Sequence, residues 1–239
     1  MDYEELSYNN TLSREQQLES SLAFPILMRK VYVWMSLALV ITGFTAFFVA
    51  STPSLASLIF NSGLIWVLAI AELALVWGVS AAINKISLTT ATLLFTLYSV
   101  LNGATLSIFF FAYTMSSIAT VFFITSGTFG AMALYGYFTK KDLTSMGSIL
   151  FMALIGLIIA SLVNIFLKSS GLYMVVSCLG VLIFAGLTAY DSQKIKEMML
   201  AAPDAGEGMQ KVALLGALSL YLDFINLFIY LLRLFGRRD

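Results

Sequence analysis

Three of the chain's acids fall in or at the edge of long apolar runs: Glu72, Asp191 and Asp223. An acid at the centre of a membrane-spanning run costs on the order of 2.5–3.5 kcal/mol on insertion scales unless something compensates it. Asp223 is the extreme case, because it sits in the middle of the apolar run Val212–Phe235. At helical spacing Ser219, Asp223, Asn226 and Tyr230 share one face (i, i+4, i+7, i+11), so the acid belongs to a polar stripe that points at protein or water. Asp191 follows Tyr190 at the end of the preceding run, with Thr188 on the same face. If Asp191 and Asp223 meet, two like charges in a dry site share one proton and make a pH switch. The same pair offers oxygen ligands to Ca²⁺, a weak site with two carboxylates alone.

Glu72 interrupts another run and has two readings. It is either a structural group hydrogen-bonded to neighbouring helices or a functional acid of the interior. Tyr98, Asn102 and Thr105 line one face of the next run, as a hydrogen-bond seam or as the wall of a pore. The chain has no histidine, which removes histidine catalysis, most zinc sites and the commonest proton sensor near neutral pH. Any pH response then rests on carboxylates. The single cysteine, Cys178, excludes an intrachain disulfide and reads as a small residue among apolar ones.

The elements that must position these groups are spans. Of 239 residues, 60% are hydrophobic and 11% charged, where a soluble domain carries about 25% charged residues. The chain reads as an all-α polytopic membrane protein. The spans are expected at about Val31–Ala50, Gly63–Ile83, Thr90–Ala112, Ile118–Phe138, Met146–Leu167, Leu172–Asp191 and Val212–Phe235. Each has the length that crosses a ~30 Å hydrocarbon core. Residues 1–24 read as a polar, acidic tail without the pattern of a signal peptide, and residues 25–239 as the transmembrane domain. Pro25, Pro53 and Pro203 are all expected outside the spans, and Lys194–Leu200 to continue the sixth helix past the membrane surface.

Zero net charge gives no reason to expect nucleic acid as a partner. With the N-terminus in the cytoplasm, Arg14, Arg29, Lys30, Lys85, Lys140, Lys141, Lys194, Lys196 and Lys211 fall inside, and the outer loops hold only Lys168. Seven crossings then put Arg233, Arg237 and Arg238 outside, against the general trend. Hydropathy also leaves Asp191 shallower than Asp223, which lies ~16 Å beyond Val212 at 1.5 Å per residue.

Asp191 within Leu187-Thr-Ala-Tyr-Asp-Ser-Gln-Lys-Ile-Lys196, and Leu218-Ser-Leu-Tyr-Leu-Asp-Phe-Ile-Asn-Leu-Phe-Ile229, resemble the signature segments of the Bax inhibitor-one/YccA family. Ala71-Glu72-Leu73, Lys140-Lys-Asp-Leu143 and the seven-run layout extend the resemblance from about Arg29 to Gly236. It implies a seven-helix bundle whose last helix is central and ringed by the other six. It also implies a pH-sensitive calcium leak, with Asp191 and Asp223 hydrogen-bonded as the sensor. Some members latch a basic residue of the second helix onto the pair; here Lys85, just past that span, is the nearest. Bacterial members are linked to membrane proteases as partners, and a bacterial plasma (inner) membrane is the expected location.

Three functions compete. The first is a cation leak passing Ca²⁺ and gated by protons, with Asp191 and Asp223 as sensor and pathway, Ser219, Asn226, Tyr230, Glu72 and Asn102 in support, and no resident cofactor. The second is a non-conducting adaptor that modulates a membrane protease or a stress and survival pathway. The third is an intramembrane aspartyl protease, since two aspartates sharing a proton are what that chemistry uses. The residues before Asp223 are Leu220-Tyr221-Leu222, without the glycines of that enzyme class, and the chain is expected not to be an enzyme.

Overall fold

Apolar side chains crowd every face of the long segments, so each closes its own backbone hydrogen bonds as a helix. The structure, a computed structural model, describes residues 3–237, with side chains described from residue 22 on. The polar tail expected over residues 1–24 lies almost wholly outside the described side chains. In order the helices are α1 (Tyr3–Ala50), α2 (Pro53–Asn61), α3 (Leu64–Ala82), α4 (Leu88–Leu106), α5 (Phe109–Ala112), α6 (Met115–Phe138), α7 (Thr144–Leu167), α8 (Ser170–Leu200) and α9 (Glu207–Phe235). Seven stretches are long and apolar enough to cross a bilayer: Leu22–Ala50 of α1, α3, Leu88–Ala112 over α4 and α5, α6, α7, α8 and α9. This is an integral membrane protein.

Local chemistry sets the ends. Ser87, Thr114 and Ser169 cap α4, α6 and α8 by accepting the backbone N–H three residues on. Pro53 opens α2, a short helix where a plain loop is expected. Pro25 lies inside α1 and not ahead of it. It falls in the first turn of the apolar stretch Leu22–Ala50, at the membrane edge, where solvent or lipid headgroups can satisfy the carbonyl left without its N–H donor. The third span breaks at Ser107, whose hydroxyl donates to the Ala104 carbonyl, and resumes as α5.

α9 is central: 61% of its most apolar stretch is buried, against 6% for α7. It packs closely on α1, α4, α6 and α8, while α3 rests on α4 and α7 on α8. The expected ring of six helices is thus a ring of four with two outriggers. Where backbones must touch, a missing Cβ allows it. A methyl on Gly136 of α6 would collide with the Ala189 carbonyl of α8, and one on Gly103 of α4 would lie 3.1 Å from Thr42 Cα of α1. Gly127, in a small-residue pair of α6, instead faces open space.

Hydrogen bonds tie Lys30 and Lys196 into the bundle at one end. There Lys30 Nζ donates to Gln210 Oε1 (2.5 Å), Leu88 N to Glu207 Oε1 (3.0 Å), and Lys196 Nζ to the Tyr137 carbonyl (2.7 Å). Gln193 bridges α8 to the α6–α7 turn, accepting from Leu143 N and donating to the Lys141 carbonyl, both at 2.8 Å. α9 finishes at the opposite end, where Arg237 N donates to Ser117 Oγ (2.8 Å) and Thr114 N to the Arg237 carbonyl (3.2 Å). The Arg233 guanidinium there lies over the rings of Tyr230 (5.2 Å) and Tyr173 (5.7 Å). The described C-terminal arginines therefore sit across the bundle from the lysines, and aromatic faces hold Arg233.

Candidate functional site

α8 and α9 run antiparallel, and two close approaches set their register. A Cβ on Gly180 would meet the Tyr230 ring at 2.5 Å, and one on Gly216 would meet Ile195 at 3.1 Å. Facing residue numbers therefore total about 410, which puts Asp191 level with residues 219–220 and Asp223 level with 187–188. The two carboxylates are offset by roughly one helical turn, ~6 Å along the axes. Asp191 remains the shallower, as hydropathy suggests. The offset is small because α8 and α9 extend well past the apolar limits, so their connection stands clear of the site.

Because α7 and α3 stand off α9, two cavities form beside it. One of about 330 Å³ lies between α7, α8 and α9 and is lined by Asp191, Ser219, Asp223, Asn226 and Tyr230. The other, about 370 Å³, lies between α3, α8 and α9 toward the lysine end, lined by Asp191, Lys194, Ser80 and Ser219 among others. Asp191, Ser219 and Leu222 belong to both and form the partition. The polar stripe of α9 thus faces a cavity, and Asp191 stands where the two cavities adjoin.

Asp223 is 5% exposed, and its Oδ2 has no hydrogen-bond partner among the described residues. A buried unsatisfied carboxylate oxygen costs several kcal/mol unless a proton, an ion or water reaches it. No hydrogen bond joins Asp191 and Asp223 among the described residues, so the bonded pair implied by the resemblance is here a pair sharing a wall. Asn226 donates to the Leu222 carbonyl (2.8 Å), and its own oxygen stays available to the cavity. Tyr230 stacks on Phe184, centroids 5.8 Å apart. Lys194, one turn beyond Asp191, lines the second cavity; α7 carries no titratable side chain. Among the described residues no cluster of three or more His, Cys, Asp or Glu forms.

Glu72 and Asn102 lie on the other side of α9. Glu72 accepts from Asn102 Nδ2 (3.0 Å) and from Thr105 Oγ1 (2.5 Å). Asn102 Oδ1 accepts from the Tyr221 hydroxyl (2.9 Å), which lies 2.7 Å from Thr42 Oγ1. The expected seam on the third span is therefore Glu72's partner, and it pins α9 to α1, α3 and α4. Tyr221, fully buried with Phe95 and Tyr98 edge-on at 5.8 Å each, is the residue sequence reading passed over. A tyrosine inside a span needs a hydroxyl partner, and Asn102 was the polar group to pair with it. Lys85 is exposed in the α3–α4 turn and makes no ion pair among the described residues. Lys85, the nearest basic group to a latch, lies past the end of α3 and lines neither cavity.

Interhelical hydrogen bonds in membranes average about 0.6 and reach about 1.7 kcal/mol. Tyr221→Phe strips a donor from buried Asn102, so a loss of ~1–2 kcal/mol is expected, with the fold intact. Thermal melts in detergent check this; an unchanged midpoint would show the seam to be idle.

Residues 25–239 match the family described as inhibitor of apoptosis-promoting Bax1. Inner membrane protein YbhL of Escherichia coli (strain K12) is 50% identical over 214 residues, covering 88% of this chain and 91% of its own. An uncharacterized protein of Borreliella burgdorferi is 48% identical over 212 residues, covering 88% and 91%. One of Rickettsia prowazekii is 48% identical over 211 residues, covering 88% and 89%.

Proposed function

The chain belongs to the Bax inhibitor-one/YccA family of membrane proteins, and from that premise we propose that it is a pH-sensitive cation leak, passing Ca²⁺ and gated by protons on Asp191 and Asp223. The observation that carries this reading is the orphaned Oδ2 of Asp223 in the wall of a cavity shared with Asp191. A buried acid without a partner is neutral or awaits a cation, and a second acid about a turn away makes the two states interconvert with pH. Ser219, Asn226 and Tyr230 add neutral oxygens to the two carboxylates. Such a set holds Ca²⁺ weakly, as passage requires. When both acids ionise, their repulsion biases α8 away from α9.

α9 is unbroken through Asp223 and its preceding glycine, Gly216, is covered by Ile195. No opened backbone awaits a peptide, which disfavours proteolysis. Purified protein in liposomes with a trapped Ca²⁺ dye tests the leak: influx that varies with pH is expected, and no influx at any pH ends this reading. One observation favours the adaptor instead. At the end away from the lysines, Phe122, Phe129, Phe224 and Phe228 interlock at 5.4–6.5 Å beside an apolar cavity of only about 110 Å³. The acid-lined cavities share no lining residue with this apolar one, so a leak must open a path between them that an adaptor does not need.

The name of the Escherichia coli relative supports a bacterial inner membrane, and the lysine-rich end is its cytoplasmic side by charge bias. In a Cys178→Ser background, an impermeant maleimide added to cells should label Lys168→Cys and Arg237→Cys but spare Lys141→Cys. The reverse labelling would invert the topology.

A further inference from the structure

A fourth cavity has no part in the leak. α6 packs chiefly on α8 and α9, and α1 on α4 and α9, which leaves a lateral groove of about 450 Å³ between α1 and α6. Its walls are apolar and aromatic, with Met28 and Tyr32 on one side and Phe129, Ala133 and Tyr137 on the other. Gly130 lines it too, and a Cβ there would meet nothing within 4 Å. One charged group stands in this lining, Arg29. It is exposed and makes no ion pair among the described residues.

Arg29 lies at the lysine end, beside Lys30, whose bond to Gln210 places it level with the start of α9. Lys196 holds its ammonium 5.2 Å from the centroid of the Tyr137 ring on the opposite wall. Lys140 and Lys141 follow directly after α6. The nearest acid in sequence, Asp142, is engaged: its Oδ1 accepts from Thr144 N at 2.8 Å, and the Thr144 hydrogen bonds hold its carboxyl below the ordinary range. Asp142 stays ionised but is outnumbered by Arg29, Lys30, Lys140, Lys141 and Lys196, so this end is basic, and the groove itself is apolar and open to the side.

We propose that this groove is a binding site for one anionic phospholipid, its headgroup phosphate on the Arg29 guanidinium and an acyl chain along Gly130, Ala133 and Tyr137. The guanidinium fork matches phosphate oxygens in two parallel bonds. A cation at the inner interface between helices is the arrangement that selects anionic over zwitterionic heads. The open face of Gly130 leaves room for a chain that a larger residue would fill.

The full-length protein in detergent, titrated with phosphatidylglycerol, phosphatidylcholine or inorganic phosphate and read by native mass spectrometry, tests the site. Wild type should retain one phosphatidylglycerol at least tenfold better than phosphatidylcholine. Arg29→Gln should abolish that preference and Arg29→Lys keep part of it. Gly130→Phe should lose the retained lipid of either kind while keeping the helical circular dichroism of wild type. Equal retention of the two lipids by wild type, or an undiminished preference in Arg29→Gln, overturns the proposal. So does inorganic phosphate alone displacing phosphatidylglycerol, since the chain would then contribute nothing.

Discussion

The double variant Asp191→Asn, Asp223→Asn is expected to conduct Ca²⁺ at the wild type's low-pH level across the whole pH range. An amide has the shape of a protonated carboxyl and cannot ionise, so the cavity stays locked in its neutral state. Offset by ~6 Å, two unit charges at an effective dielectric of about 20 repel by at most ~3 kcal/mol. That ceiling allows up to about a hundredfold change in flux between the neutral and doubly charged pair. Asp223→Asn alone should remove most of this, since Asp191 is only partly buried and near Lys194. Liposome influx over the carboxylate range checks both variants. A double variant that keeps the full wild-type pH profile would place the sensor elsewhere, with Glu72 the next acid to change.

Gly136 carries the second large effect. Its missing Cβ lets α6 lie on the Ala189 carbonyl of α8, two residues from Asp191. Overpacking a core costs about 1–3 kcal/mol where side chains can move aside. Here the obstacle is backbone, so Gly136→Leu should exceed that range and leave little protein that elutes as a single species. Gly136→Ala should lower the melting midpoint clearly. Gly127→Ala, on the same helix in open space, should raise it slightly, because alanine favours a helix by ~0.5–1 kcal/mol over glycine. Equal midpoints for the two alanine variants would show that the α6–α8 contact is slack.

The contrast between these two glycines marks what a sequence hides. Gly127 and Ala131 have the four-residue spacing of small residues at packed helix faces, yet the close approach belongs to Gly136. Which face of α6 meets α8 depends on the bundle's arrangement, and small residues read alike on every face. Tyr221 is a parallel case. It lies between Ser219 and Asp223 in the chain but faces the opposite way, toward Asn102 and Thr42, so the polar stripe drawn along α9 left it out.

The residues alone determined the seven apolar spans, the all-helical class, the helical face that unites Ser219, Asp223, Asn226 and Tyr230, and the bias of lysine to one end. Each of these follows from local rules: the length that crosses hydrocarbon, the 3.6-residue period, and the cost of a charge in lipid. Only the tertiary structure decided that Asp191 lies about one turn from Asp223, that Glu72 belongs to a separate seam with Asn102, and that Lys85 reaches neither. Those outcomes depend on the sliding register between α8 and α9 and on which helices stand off the centre. Contacts between turns distant in sequence set both, and hydropathy does not encode them.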